Sequence, residues 1–455
     1  MRRLFGRGGS RRPKLLVVGL DGVPFSYVRG LIGQGELPNF GAIADGGAVV
    51  QMDTSQPNVS SVAWASFMTG SNPGVHNIYG FLDRRPGTRD TFIPTSRDLR
   101  AQTIYELMSE AGKRVFSMNV PLTYPPRPVN GILIGDFLSP NIEKAAPDAA
   151  TAAALQRMGY VIDADPSRAR QDKADFLSHL SEVFERRIEA TRHFWRQERW
   201  DFFMTHIMET DRLHHFFWRE MEEGHPIHAP AFLDFYRRLD GALGEMRSWL
   251  DDDTTLIVLS DHGFCSIRQE VQVNTHLVNS GYLRYLGDSS ESLGDVDPSS
   301  VAYSLDPGRV YLSVRGREAG GWIAPGAEYD RWRREVAEAL MQMVDPESGE
   351  AMVEGIGFGE DLYHGPNAAN GPDLVLLMRN GYDAKGSFGK PNVCSRGESL
   401  VGMHTTPDAL LSIGGVQNLR RRPHIQDLAP TILDLLDLPV PDQMDGHSLL
   451  RYQDA

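Results

Sequence analysis

The stretch Pro57-Asn58-Val59-Ser60-Ser61-Val62-Ala63-Trp64 reads as a turn, a pair of serines and the start of a short helix that Gly70 closes. Backbone N–H groups in the first turn of a helix have no internal partner, and with the helix dipole they attract negative charge. A serine hydroxyl at such a point can be an oxygen nucleophile toward an anion such as phosphate. The competing reading of Ser60 is an ordinary N-cap. Carboxylates and imidazoles elsewhere decide between the two. Asp211 and His215 are four residues apart and share a face if Asp211 opens a helix, so both can reach one metal ion. Asp261 and His262 are adjacent after an apolar run, and Gly263 lets the backbone bend so that both aim inward. Asp21 ends another apolar run, in an Asp-Gly pair that is also a turn signal. His404, after Gly402-Met403, is unremarkable alone. His214 points off the Asp211 face and is the weaker ligand candidate. His76 reads as a structural tie between its loop and the floor of the site.

Sorted by chemistry, these residues form two sets. Asp211, His215 and His404 make one; Asp21, Asp261 and His262, with the Ser60 oxygen, make the other. Mixed carboxylate and imidazole ligands suit zinc best, with manganese or iron as alternatives. Two ions about 4 Å apart would hold a phosphoryl oxygen between them, one lowering the serine pKa and the other stabilising the leaving oxygen. Three carboxylates and a serine alkoxide would repel a phosphate unless two dications offset them.

Such residues need a scaffold that collects them. Lys14 to Leu20, Arg114 to Val120, Gly131 to Phe137, Asp201 to Met208, Thr254 to Leu259 and Ala409 to Ile413 are apolar runs of strand length, as expected of strands buried on both faces. Helical patterns separate them, above all the long amphipathic stretch carrying Phe176, Leu180, Val183, Phe184, Ile188 and Phe194. Strand and helix in alternation predict an α/β fold with a doubly wound, mostly parallel sheet, and ligands gather at the carboxyl ends of such strands. Asp373 to Met378 reads as a return to core strand pattern after an insertion.

The chain has 455 residues, 41% of them apolar, and a net charge of −14. That charge argues against a general nucleic-acid or anionic-membrane binder. Cys265 and Cys394 make no disulfide framework and fit a reducing compartment. The N-terminus is basic but lacks the apolar run of a signal peptide, and no stretch approaches the ~20 apolar residues of a membrane span. The expectation is a cytoplasmic protein without stable membrane insertion. A basic, disordered tail (1–13) is expected before a single catalytic domain (14–455), with cap-like insertions at about 139–199 and 266–353.

Gly-Leu-Asp21-Gly, Ser60 with Ala63-Trp64-Ala65-Ser66 and Thr69-Gly70, Asn72-Pro73-Gly74-Val75-His76, Thr210-Asp211-Arg212-Leu213-His214-His215, Ser260-Asp261-His262-Gly263-Phe264 and Gly402-Met403-His404 occur in this order. So ordered, they resemble the alkaline phosphatase superfamily, in its type I phosphodiesterase/nucleotide pyrophosphatase branch. The resemblance implies an α/β/α sandwich, two bound metals held by the two sets above, in-line attack by Ser60, a phosphoseryl intermediate and its hydrolysis by metal-activated water. The substrate expected is a small phosphorylated metabolite, against an apolar pocket of Trp64, Phe81 and Tyr124. Two departures stand out. Ser60 replaces the threonine nucleophile of many diesterases. Phe81 stands near where the branch has an asparagine that holds a phosphate oxygen, which weakens the case for nucleotides and leaves a phosphomonoesterase or phosphotransferase as the alternative. Arg84 and Arg85 read as solvated loop surface rather than as replacement donors. Neither cysteine lies at the nucleophile position, which disfavours a sulfatase.

Overall fold

The computed structural model describes residues 13–287, 290–397, 400–419 and 421–450. The basic tail expected to be disordered lies, apart from Pro13, outside the described residues.

The apolar run Lys14–Leu20 is the middle strand of a seven-stranded sheet. Across the sheet the order is Val49–Met52, Ala409–Ile413, Thr254–Leu259, Lys14–Leu20, Phe202–Ile207, Val115–Met118 and Gly131–Ile134. The pairings from Thr254–Leu259 to Gly131–Ile134 are all parallel, and Ala409–Ile413 runs antiparallel to both neighbours. In the middle strand Leu16, Val18 and Leu20 enter one core while Leu15 and Val17 enter the other, so both faces are covered. Helices Phe25–Gly33, Pro38–Gly46, Lys173–Gln197, Glu209–Glu222 and His228–Ser248 bury their apolar stripes in the first core. Helices Ser60–Thr69, Ile104–Glu110 and Leu428–Leu435 fill the second. This is the α/β/α sandwich expected, and each fully buried Leu, Val or Phe in it contributes about 1.5–3 kcal/mol.

The register sets where the chemistry emerges. Gly19 lies opposite both His206 and Leu259, so the strands ending before Asp21, Met208 and Ser260 finish at one edge of the sheet. The long helix Lys173–Gln197 follows three short ones, Ile142–Ala145, Ala149–Arg157 and Pro166–Gln171. It packs Phe176, Leu180, Val183, Phe184, Ile188 and Phe194 into the first core, and is a layer of the sandwich rather than a cap.

A second sheet, antiparallel, has the order Ala302–Leu305, Arg309–Leu312, Leu374–Met378, Val353–Phe358 and encloses its own core, from Val271 to Ala384. Leu374–Met378 is therefore not a strand of the main sheet, and the insertion expected to end near residue 353 runs past it. A short apolar run fits an inner antiparallel strand as well as a parallel one, so its pattern does not choose between sheets. Arg309 pairs with Asp83 in a buried seam between the lobe and the loop after Tyr79, and Arg84 lies 3.1 Å from Glu318 there. Among the described residues no helix is long and apolar enough to cross a membrane.

Candidate active site

Ser60 is the first residue of helix Ser60–Thr69, and the cap position belongs to Val59, which offers no side-chain cap. The hydroxyl does not cap the helix. It donates to Asp21 Oδ1 at 3.1 Å and lies 3.2 Å from His262 Nε2. Gly70 ends the helix in the left-handed conformation, φ 65°.

One cluster surrounds this oxygen. His262 Nε2 is 3.6 Å from Asp21 Oδ1 and 3.3 Å from Asp261 Oδ2, and all three residues are fully buried. Asp21 Oδ2 accepts from Trp64 Nε1 and meets His206 Nε2, both at 3.0 Å. The Thr210 hydroxyl donates to the Asp21 carbonyl at 2.6 Å. Gly22 turns the chain at φ +68°, where a Cβ would come within 2.7 Å of Phe264, and its N–H donates to Asp261 Oδ1 at 3.0 Å. Gly263 serves by its size instead of by a bend: a Cβ there would lie 2.5 Å from Thr405 Oγ1.

The second cluster combines a helix with a two-stranded ribbon. Asp211 and His215 lie on helix Glu209–Glu222, four residues apart as the spacing predicts, with Asp211 in its first turn. Strand Gly402–Thr405 pairs antiparallel with Gly263–Ser266, and Ile267 N–H donates to Val401 O at 2.9 Å just beyond. That pairing stacks the His404 ring on the His262 ring, centroids 3.6 Å apart. His215 Nε2, His404 Nε2 and Asp211 Oδ1 are mutually 3.2 to 3.3 Å apart. The other ring nitrogens face carbonyls, His215 Nδ1 that of Gly402 and His404 Nδ1 that of Asn58. Those hydrogen bonds fix the tautomers and leave the Nε2 lone pairs turned toward one another.

Metal ions fit both clusters. Ligand bonds of 2.0–2.1 Å in a tetrahedron set donor atoms about 3.3 Å apart, close to what these atoms show. Asp211 Oδ1 and Asp261 Oδ2 are buried without a hydrogen-bond partner, a costly arrangement unless a cation takes them up. Burial raises Asp211, but His215 and His404 hold its carboxyl well below the usual range. Asp261 goes the other way: burial, then the Asp21 and Asp211 charges, push it well above. Asp21 and Asp261 thus cannot both ionise cheaply without a positive charge between them. Burial, with help from His404, pulls His262 down to about 3, so the ring is neutral at neutral pH, and Nδ1 faces the Gly263 carbonyl at 3.1 Å, which leaves the lone pair on Nε2.

Other sequence expectations fare unevenly. His76 is fully buried, with Nε2 3.1 Å from Ser66 Oγ and Nδ1 accepting from Ile78 N–H, a structural tie as expected. His214 bridges Gly22 O and the Tyr236 hydroxyl, away from the clusters. Trp64 is fully buried and cannot wall a substrate pocket; it orients Asp21 instead. Phe81 is half-buried against Phe137, ring centroids 5.9 Å apart. Tyr124 is half-buried beside Gly135. Arg84 is not solvated surface: it is buried with Glu318 and lies over the Tyr311 ring.

Sequence reasoning missed His206, Arg187 and Asp163. His206 interrupts an apolar run and is itself fully buried, and a lone imidazole there is the available signal. Arg187 sits fully buried on the long helix and pairs with Glu209 at 2.7 Å, also bonding the Tyr160 hydroxyl and Ile162 O. Asp163 grips Arg212 through Nε and Nη2. Both pairs brace the first turn of the helix that carries Asp211.

The chain matches the sequence profile of Type I phosphodiesterase / nucleotide pyrophosphatase over residues 15–406. It belongs to that family. This family member is thus a phosphodiesterase/pyrophosphatase-family hydrolase, a phosphoric ester hydrolase by kinship, and its relatives use divalent metals at the active site. Among solved structures it is similar to phosphonoacetate hydrolase from Sinorhizobium meliloti 1021, solved with phosphonoacetate, at TM-score 0.65 and 19% identity, covering 94% of this chain and 96% of that one. Murine ectonucleotide pyrophosphatase / phosphodiesterase 5, in an inactive form with AMP, aligns at TM-score 0.56 and 14% identity over 94% and 96%. The alkaline phosphatase PafA aligns at 0.54 and 14% over 97% and 99%. At these identities the likeness is one of fold. No curated protein matches the chain.

Proposed function

We propose that this family member hydrolyses a phosphodiester or pyrophosphate bond in a small phosphorylated metabolite, with Ser60 as nucleophile between two divalent ions, zinc by preference. The observation that carries this reading is the Ser60 hydroxyl itself. It leaves the capping role and points at Asp21 Oδ1 and His262 Nε2. Asp21, Asp261 and His262 would hold one ion beside it, and Asp211, His215 and His404 the other. The bound ions supply the acidity that frees the Ser60 oxygen and the charge that offsets the leaving oxygen.

The chain's own groups do the rest. The Ser60 oxygen gives up its proton and forms a bond to phosphorus as the bond to the leaving oxygen breaks and that oxygen departs with a proton, giving a phosphoserine. Water then attacks the phosphorus, the bond to Ser60 breaks and the serine regains its proton. Asp21 is kept in register by Trp64, His206 and Thr210, so the serine is aimed before substrate arrives. The N–H groups at the start of helix Ser60–Thr69 lie beside the nucleophile and favour the phosphoryl oxygens.

The experiment counts metals by elemental analysis and assays bis-p-nitrophenyl phosphate and p-nitrophenyl phosphate side by side. Two ions per chain with preference for the diester support the reading. Preference for the monoester moves the function to phosphatase or phosphotransferase. No ion and no turnover, even with added zinc or manganese, sinks it.

A further inference from the structure

Arg212 directly follows the candidate ligand Asp211 and is a second charged group beside that cluster. Asp163 grips the guanidinium in fork geometry, with Nε at 3.2 Å and Nη2 at 2.6 Å. On the other edge Nη1 reaches Asp211 Oδ2 at 3.3 Å, a long contact. The guanidinium lies over the Phe137 ring, 5.6 Å from its centroid, and Phe137 in turn meets Phe81 edge-on. The Arg212 side chain keeps 19% of its surface exposed.

A guanidinium has five N–H donors. Asp163 takes two of them and Asp211 a third, so one N–H on Nη1 and one on Nη2 go beyond these contacts. The fork grip fixes the plane, so the remaining donors are oriented in advance and lose little freedom when a ligand arrives. The aromatic wall beside them offers no hydrogen-bond donor. Asp163 comes from the segment between Arg157 and Pro166, which ties this brace to the layer that also supplies Arg187.

We propose that Arg212, braced by Asp163, forms an anion subsite beside the two metal clusters and makes this chain select substrates that carry a second negative charge at or next to the scissile phosphorus. The proposal rests on the hydrolase reading above for what the site does with such a substrate, and on Arg212 alone for the subsite. Under the reading above the second charge sits on a neighbouring phosphoryl group, as in a pyrophosphate; on the same phosphoryl group, as in a monoester dianion, it belongs to the phosphatase or phosphotransferase alternative.

The test uses the full chain loaded with zinc and three probes. Bis-p-nitrophenyl phosphate carries one charge. p-Nitrophenyl phosphate carries two on one phosphorus. Symmetric bis-p-nitrophenyl pyrophosphate, followed by phosphorus NMR, carries one on each of two. Removing a charged donor costs about 1.5–3 kcal/mol, so Arg212→Met is expected to lower kcat/KM on one or both two-charge probes by roughly 10- to 100-fold. The fall on bis-p-nitrophenyl phosphate should be at least ten times smaller. Which two-charge probe falls identifies where the second charge sits. Arg212→Lys restores part of the loss, and Asp163→Asn gives an intermediate one. Equal falls on all three probes, or none, overturn the subsite. Calorimetric binding of inorganic pyrophosphate to wild type and Arg212→Met gives a readout without turnover. Weaker binding to the variant with no hydrolysis by either protein keeps the subsite and removes the hydrolase reading. Equal binding removes the subsite.

Discussion

The two clusters that flank Ser60 differ in enclosure and in charge. Asp21, Asp261 and His262 are sealed, with two carboxylates and one imidazole. Asp211, His215 and His404 have one carboxylate and two imidazoles, and both histidines are half-buried. The sealed cluster is the more electron-rich, and Asp261 shows the strain as a carboxyl pushed well above its ordinary range by burial and by Asp21. The open cluster sets one carboxylate against two imidazoles and so gathers less negative charge. On the proposed reading the Ser60 oxygen lies beside the better shielded cluster, where an ion's charge is least screened by solvent. The open cluster is the one solvent reaches, with the His215 and His404 side chains 19% and 16% exposed.

The comparison can be broken at several points. Ser60→Ala should lower turnover of bis-p-nitrophenyl phosphate by at least about 10³-fold while both ions stay bound. Survival of that turnover would falsify the nucleophile assignment. His404→Ala should leave one ion of two and reduce turnover on the order of 10²-fold, whereas Asp261→Ala should lose the other ion, both read by elemental analysis. Chelation of the wild type should be biphasic, the open cluster emptying first; a single phase would mean that enclosure does not separate the sites. Trp64→Phe removes one donor to Asp21 and should weaken the sealed ion about 10-fold, with no effect on the open one.

The smallest effect concerns the floor. Burial pulls His76 down to about 3, far below its unfolded value. The folded chain holds it neutral while the unfolded chain binds a proton below about 6.5, so its contribution is complete above that pH and is lost as pH falls toward 3. Between pH 6.5 and 4 this amounts to about 3 kcal/mol. Acid titration of Tm should show a shallower decline for His76→Gln than for wild type.

Most of the site was legible because its residues sit where apolar runs stop. Asp21 and Asp261 each follow a strand whose apolar run marks it as central, Asp211 follows one broken only by Thr205 and His206, and position i+4 from Asp211 supplies His215. The bracing was not legible. Arg187 lies on an amphipathic helix whose apolar stripe absorbed the reading, and its partner Glu209 looks like any acidic helix start. Trp64 looked like a pocket wall, since indole size says nothing about which way its N–H points. Leu374–Met378 reads as a core strand but belongs to the second sheet, because a buried antiparallel strand has the same composition as a parallel one. His404 could be tied to the site by resemblance, while its geometry depends on a ribbon pairing across more than a hundred residues of chain.

That ribbon has a further consequence. Strand Gly263–Ser266 leaves toward the second sheet and strand Gly402–Thr405 returns from it, hydrogen-bonded to each other and latched by Ile267 N–H on Val401 O. The chain therefore enters and leaves the second lobe through one closed ribbon. In evolutionary terms this is a socket: a cassette can be exchanged, lengthened or trimmed there while both sides of the ribbon, and the histidine each side holds, keep their places. The chemistry and the surroundings that a substrate meets can then diverge separately, with the seam as the part that must be rebuilt each time: the Asp83–Arg309 and Arg84–Glu318 pairs, the Tyr363 hydroxyl on Gln56 O and Asn367 N–H on Gly74 O.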